Sequence, residues 1–404
     1  MRLKDNISIY TVCNVAYLSK VMILSESIYN YNKIKLDIFV FDKKRQLAFN
    51  LDNCNIHWIE ELEIPDFKTL AFKYTIIELS TALKAYLALK LLKFNSKVIF
   101  FDPDVEVLNS LDFIFNQLDQ YPVILTPHYF YPKSNGIIDD ARIMRFGTYN
   151  LGFFAVNNSI EAIKFLNWWS ERCITNGFDD AQFGIFTDQK WVSIAQCFFP
   201  FIYVSYNPGL NVAYWNLNER SISININGIY VINNEYPLLF FHFSSFDNNF
   251  PERVSKIDFE IVENSNTIIS ELALKYSEKL NRFSYISEDT KYSYDYMSDG
   301  QYVSPSLRRA YASFLNEFSE SYDPFDSNGV VADFARKNHL FQKNNLIYSV
   351  QGYKNADNHT KKFKIIFWIM RFILRIVGPN NFMNFSKLLV YLSSYQRNRN
   401  MWKL

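Results

Sequence analysis

The chain has 404 residues, enough for one catalytic domain of about 250 residues with an appendage. Lys and Arg number 42 against 41 Asp and Glu, a formal net charge of +1 that leaves no footprint for a nucleic-acid partner. Cys13, Cys54, Cys173 and Cys197 stand at no CxxC spacing, which argues against a zinc ribbon or a disulfide framework and fits buried thiols in a reducing cytoplasm. The opening MRLKDNISIYTVCNVAYL lacks the apolar length of a signal peptide. No later window offers about 20 uninterrupted apolar residues, so a soluble or peripheral protein is expected. Aromatic content of 18% is more than a core of ordinary size needs, which points to rings in contact with carbohydrate or membrane.

In chain order, ISIYTVCN alternates β-branched and aromatic residues and predicts a first strand that delivers Thr11, Cys13 and Asn14 to a loop. YLSKVMILSESIYNYN has helical spacing, LDIFVF predicts a strand and NIHWIEE another, which is the start of a parallel sheet. From Tyr74 to Leu92, leucines at 79, 83, 87 and 91 predict one helix packed on that sheet. KVIFF supplies a central strand, and Asp102 and Asp104 in "DPD" lie beyond its C-terminal end, where open α/β sheets place their ligands. Asp-Pro is ordinary turn chemistry. On an extended segment, however, residues i and i+2 point the same way, so both carboxylates can face one hard divalent cation that relieves their repulsion.

Four later blocks stand out. In GTYNLGFFAVNNS, Gly147 and Gly152 flank a strand that carries Asn150; a strand glycine marks close approach of a ligand to the backbone, and Asn158 is expected to cap the following helix. In FGIFTDQKWVS, Thr187 is expected to cap a helix whose first turn carries Asp188, with Gln189 beside it. YNPGLNVAYWNL is a Pro-Gly turn followed by Asn211 and Trp215. PLLFFHFSSFD ends an apolar run on His242, where a half-buried structural histidine is the ordinary reading.

Taken in order, these blocks resemble bacterial glycosyltransferases of the GT-A fold, similar to glycosyltransferase family 8, over residues 5–250. The matching positions are Thr11 to Asn14, Lys84 in STALKAY, Asp102 and Asp104, Asn150 and Gly152, Asp188 and Gln189, and His242. The resemblance implies an α/β fold: a Rossmann-like nucleotide-diphospho-sugar transferase with a central mixed sheet flanked by helices and a helical C-terminal extension. It implies a retaining hexosyltransferase taking a nucleoside-diphosphate sugar, UDP-sugar favoured, to a glycan or lipid-linked saccharide acceptor in bacterial surface polysaccharide synthesis. Asp102, Asp104 and His242 would hold Mn²⁺ or Mg²⁺ against the diphosphate, imidazole favouring Mn²⁺ over Ca²⁺. Asp188 and Gln189 would act near the anomeric carbon. Thr11, Cys13 and Asn14 would hold base and ribose, Lys84 would balance phosphate or sugar-carboxylate charge, and Asn150 and Gly152 would shape the donor-sugar pocket. Asn211 and Trp215 are acceptor-side candidates.

Two features depart from the family. The late His is followed by SSFD, with no Gly and Lys for the diphosphate, and the central position of the acidic motif is Pro, as in a DPD-motif subgroup. A haloacid dehalogenase phosphatase could use Asp179 and Asp180 of GFDDA as a second acidic pair, but its motif continues into DGT. A sugar nucleotidyltransferase needs a Gly-rich basic loop that is absent here, and a carbohydrate-binding module explains the aromatics but not the acids with His. The expected organisation is a catalytic domain over 1–255, a helical and mixed extension over 256–354, and basic amphipathic helices over 355–404. KKFKIIFWIMRFILRIVG places Lys361, Lys364, Arg371 and Arg375 on one face and Ile365, Phe367, Ile369, Phe372, Ile373 and Ile376 over much of the rest. This predicts a helix lying on anionic lipid, too short to span, at the inner face of the cell membrane; docking on protein is the competing reading.

Overall fold

The computed structural model describes residues 6–46, 52–136, 138–257, 267–286, 291–318, 322–341 and 361–392. Their packing forms two units, one of residues 1–65 and 76–293, the other of residues 66–75 and 294–404.

The first unit opens with β1 (Ile7–Cys13), α1 (Leu18–Asn32), β2 (Leu36–Val40) and β3 (Cys54–Trp58). After α2 (Phe67–Lys73), which belongs to the second unit, come α3 (Ile76–Ala82) and α4 (Lys84–Leu92). The single helix expected over 74–92 is thus two, meeting at Leu83. Leu79, Leu83 and Leu87 are buried as the spacing requires, whereas Leu91 is half-buried. The Thr81 hydroxyl donates to the Ile77 and Glu78 carbonyls, and Tyr10 Oη donates to the Lys84 carbonyl at 2.6 Å; side-chain bonds to helix carbonyls of this kind bend a helix.

Next are β4 (Lys97–Phe101), buried throughout, β5 (Val105–Val107), α5 (Asp112–Gln117), β6 (Val123–Pro127), α6 (Asp140–Phe146) and β7 (Tyr149–Asn157). α7 (Ile160–Asn176) is capped by the Ser159 hydroxyl, not by Asn158, whose side chain donates to the Leu92 carbonyl instead. The short β8 (Asp179–Asp180), β9 (Ile185–Phe186) and α8 (Gln189–Val192) lead to β10 (Ile202–Val204), then β11 (Ile222–Ile224), β12 (Tyr230–Ile232), β13 (Tyr236–Pro237), β14 (Phe240–His242) and α9 (Thr267–Arg282).

Seven strands form one sheet in the order β10-β6-β7-β4-β1-β2-β3. Every pairing is parallel except those of β7, which runs antiparallel to both β4 and β6. The N-terminal end of β7 therefore shares a rim with the C-terminal ends of β1, β4 and β6. A separate pair, β5 with β14, sets His242 opposite Val105. The mixed sheet with flanking helices and a helical C-terminal extension expected from the sequence is observed. The rings divide between core and surface: Phe100, Phe101, Phe153, Phe154 and Trp169 are buried, whereas Tyr31, Phe94, Tyr131, Phe198 and Tyr206 are exposed. Of the four cysteines, Cys197 is exposed; the other three are buried thiols.

In the second unit α10 (Pro305–Ser313) begins with Pro305 behind a Ser304 cap, and α11 (Val330–Lys337) packs with it and with Phe72 of α2 in one apolar cluster. Then come α12 (Lys361–Val377) and α13 (Pro379–Leu392), with Gly378 at φ +77° between them. Residues 342–354 of the expected extension, and 355–360 and 393–404 of the expected C-terminal helices, lie outside the described residues. No helix among the described residues is long and apolar enough to cross a membrane.

Candidate functional site

β4 ends at Phe101, and the Val105 amide donates to the Asp102 carbonyl at 3.1 Å, closing a turn with Pro103 at its second position. The two carboxylates converge because of this turn, rather than by the strand alternation inferred from the sequence. β14 lies against the far side of the turn, with the Phe243 amide donating to the Asp104 carbonyl at 2.8 Å. His242 Nε2 then sits 3.1 Å from Asp104 Oδ1 and 3.9 Å from Asp102 Oδ2. Ligand atoms of Asp102, Asp104 and His242 all fall within 4.8 Å of one another. Two carboxylates and one imidazole make a donor set that could hold a divalent cation, and Asp102, the most exposed of the three at 27% of its side chain, leaves one side open.

Gly152 makes this approach possible. A Cβ there would stand 2.4 Å from His242 Cε1 and 2.8 Å from Asn150 Oδ1. The group that comes close to this strand glycine is the histidine ring. Gly147, at φ +125°, likewise admits the Gln189 backbone, 2.9 Å from where its Cβ would be.

Lys84 joins the cluster to a second acid. Its buried ammonium lies 3.0 Å from Asp102 Oδ1 and 3.5 Å from Asp188 Oδ2, and it donates to the Leu151 carbonyl at 2.9 Å. Two of these contacts are hydrogen bonds and the third, to Asp188, is an ion pair, so the ammonium balances two aspartates. Burial alone would lower the Lys84 pKa, but Asp102 and Asp188 raise it. Burial raises the Asp188 pKa, Lys84 opposing and Asp102 reinforcing. For Asp104 burial raises, but His242 and Lys20 bring the carboxyl below its usual range. Thr187 does not cap α8: it adopts φ +42° and its hydroxyl contacts Asp188 Oδ1 at 3.2 Å. Gln189 Oε1 accepts the Leu151 amide at 3.2 Å, tying α8 to β7.

The remaining predicted residues divide by burial. Thr11 and Cys13 are buried in β1, and burial first, then Asp42, pushes the Cys13 thiol up; Asn14, at the strand's end, is partly exposed. Asn150, Asn211 and Trp215 are buried behind His242, Trp215 edge-on to its ring with centroids 5.2 Å apart. Asp179 and Asp180, the alternative acidic pair, are not part of the cluster.

Sequence reasoning missed His128, Thr126 and Asn216, which pack with this group. His128 follows the β6 run VILTP, so the rule that strand ends carry ligands would have found it. Burial lowers its pKa to about 4, with the Thr148 carbonyl opposing and His242 reinforcing. Tyr17 and Lys20, three apart at the start of α1, were missed too. Burial first, then Asp104 and Asp102, raises the Tyr17 phenol, and Lys20 is among the charges that lower Asp104.

No family model matches the chain. It is similar to two Bacillus subtilis (strain 168) proteins, both described only as uncharacterized: YfnF, 31% identical over 100 residues, 25% of this chain and 33% of that protein, and YfnD, 26% identical over 193 residues, 46% of this chain and 60% of that protein. The chain thus matches a third to three-fifths of the length of these relatives. Among solved structures, galactosyltransferase LgtC in complex with donor and acceptor sugar analogs overlaps 68% of this chain and 95% of its own, at 14% identity and a TM-score of 0.40. The apo WbbM bifunctional glycosyltransferase overlaps 53% and 41%, at 13% and 0.36. Mouse xyloside xylosyltransferase 1, apo form, overlaps 58% and 97%, at 12% and 0.37. Likeness at these scores carries no argument, and the functional reading rests on the site.

Proposed function

We propose that the chain is a metal-dependent, retaining glycosyltransferase of GT-A type, akin to the DPD-motif subgroup of family 8. It would move a hexose-type sugar from a nucleoside-diphosphate sugar, UDP-sugar first, to a glycan or lipid-linked saccharide in bacterial surface polysaccharide synthesis. The observation that carries this reading is the convergence of Asp102, Asp104 and His242 at the sheet's rim, joined through Lys84 to the buried Asp188.

Asp102, Asp104 and His242 would hold Mn²⁺ or Mg²⁺, which when bound neutralises charge developing on the diphosphate leaving group. Asp188 would supply the negative field that an oxocarbenium-like transition state requires, with Lys84 setting its position and Gln189 bracing the adjoining strand. Asn14, backed by Thr11 and Cys13, would face base and ribose. Asn150 and Gly152 would form the donor-sugar wall, and Trp215, next to Asn211, the acceptor side. As functional regions, 1–255 would be catalytic, 256–354 an extension, and 355–404 the surface-binding part.

Nucleoside diphosphate released from a panel of sugar nucleotides, with Mn²⁺ and with chelator, tests this reading. Release that stops on chelation and in Asp104→Ala is expected. A phosphatase would instead liberate phosphate from phosphomonoesters, a nucleotidyltransferase would liberate pyrophosphate from nucleoside triphosphates, and a binding module would do neither. Full turnover by the chelated enzyme would overturn the metal's role.

Peripheral membrane contact at the cytoplasmic face belongs to the same proposal. Residues 361–404 contain nine Lys or Arg and no Asp or Glu; with +1 for the whole chain, the preceding residues carry −8. On α12 and α13, Ile365, Trp368, Phe372, Ile376, Met383 and Leu388 are exposed. Apolar side chains on a helix of one charge sign suit an anionic bilayer. The full chain should float with anionic vesicles, and Lys364→Glu/Arg371→Glu/Arg375→Glu should not; equal flotation of both would remove the lipid role.

A further inference from the structure

The hydrogen bonds behind His242 run in a fixed direction. At one point the Gly152 amide, which can only donate, donates to Asn150 Oδ1 at 3.1 Å; at another the Thr148 carbonyl, which can only accept, lies 3.1 Å from His128 Nδ1. Asn150 therefore turns its Nδ2 toward His128 Nε2 at 3.4 Å, and its Oδ1 also receives Asn211 Nδ2 at 3.0 Å. Asn211 Nδ2 donates as well to Thr126 Oγ1 at 3.0 Å. That leaves Asn211 Oδ1 facing His242 Nδ1 at 3.3 Å. Flipping Asn150 would set its amide hydrogens against the Gly152 N–H and the Asn211 amide, and flipping Asn211 would set its oxygen against Asn150 Oδ1, so both orientations follow from the network.

An amide oxygen can only accept. His242 Nδ1 must then carry a proton, and in the neutral ring the lone pair of Nε2 points at Asp104 Oδ1, 3.1 Å away, with Asp102 beyond it. The opposite tautomer would donate Nε2–H to Asp104 and close the cluster as a plain hydrogen bond. A bare nitrogen aimed at two carboxylates is repulsive until a proton or a metal cation lies among them, and in either case Nδ1–H stays on the Asn211 oxygen.

We propose that Asn211 is a positioning residue, which holds His242 as the Nδ1–H tautomer and so presents Nε2 to a divalent cation shared with Asp102 and Asp104. Asn150 and His128 lock the Asn211 amide. The inference rests on the metal-site reading above and adds the group that orients its nitrogen ligand. The backbone is held to match: Asn211 sits at φ +52°, and Asn216 Nδ2 donates to the Asn211 and His128 carbonyls, each at 3.0 Å. A partner on the far nitrogen of a ligating histidine typically changes metal affinity about 10- to 100-fold.

One variant tests it. Asn211→Gly suits the positive φ and removes the acceptor. Mn²⁺ alone, titrated by the paramagnetic resonance of the free ion, should bind Asn211→Gly roughly 10- to 100-fold more weakly than wild type. ¹⁵N NMR of the metal-free wild type, at a pH that keeps the ring neutral, should show His242 protonated on Nδ1. Undiminished Mn²⁺ affinity in Asn211→Gly, a wild-type ring protonated on Nε2, or no Mn²⁺ binding by the wild type would each overturn the proposal. If Asn211→Gly does not fold, the wild-type tautomer decides. Neither readout uses a sugar donor, so a protein that binds Mn²⁺ through this relay yet transfers no sugar would refute the transferase reading and leave this one standing.

Discussion

Two buried charges in this molecule have opposite surroundings. Arg308, in the second unit, is sealed and fully met: its guanidinium donates to the carbonyls of Ala71, Phe72, Tyr74 and Tyr294 and to Asp295 Oδ1, at 2.7 to 3.0 Å. Asp188, in the first unit, is as deeply buried, yet its Oδ2 has the Lys84 ammonium at 3.5 Å and no well-aligned hydrogen bond among the described residues. Thr11 Oγ1 and Trp215 Nε1 are likewise buried with no hydrogen-bond partner among the described residues. Burial of charge is therefore not by itself the mark of a site. A charge that the protein satisfies completely holds structure together, and one left incompletely satisfied at a sheet's rim is available for chemistry.

The sharpest way to break this comparison is Arg308→Met. It strands four carbonyls and a carboxylate and should cost about 3–5 kcal/mol of stability by chemical denaturation, with Mn²⁺ affinity unchanged if the variant is folded. Asp188→Asn should do the reverse: kcat falls about 100- to 1,000-fold with little change in donor KM, and stability moves by less than about 1 kcal/mol. A stability loss as large as that of Arg308→Met would make Asp188 a structural charge. A smaller effect is expected from pH. Folded His128 takes a proton near pH 4, against an ordinary value of 6.5, so between these the unfolded chain binds more protons. Stability should thus rise with pH through that window, and fall by about 2 kcal/mol from pH 7 to pH 5; His128→Gln should flatten this limb. Thr11→Val, replacing an unpartnered hydroxyl by a methyl, should shift stability by less than about 0.5 kcal/mol. A loss near 2 kcal/mol would show the hydroxyl to be engaged.

What could be read from sequence was whatever is local. The apolar run of β4 and the acids just beyond it lie within a few residues, so strand, rim and Asp102 and Asp104 were all legible, although the turn that turns both carboxylates to one point was not. The break at Leu83 escaped because leucine spacing reports which face is buried and says nothing of hydroxyls pulling on carbonyls. Singling out His242 as a candidate ligand needed the ordered resemblance, since its partners are set by the β5–β14 pairing. The relay from Asn211 to Asn150 and His128 joins residues 61 and 22 positions apart, with no periodicity to signal it. The burial of Arg308 is not legible in sequence, because nothing in PSLRRAYAS reveals that the chain around Phe72 folds onto it.

The central claim is that Asp102, Asp104 and His242 hold one divalent cation against a nucleoside diphosphate. Crystals grown with Mn²⁺ and a nucleoside diphosphate, measured at the manganese edge, test it directly. The account predicts one anomalous peak ligated by both carboxylates and by His242 Nε2, with diphosphate oxygens completing its shell. Diphosphate bound with no peak there, or a peak held by other residues, would contradict it.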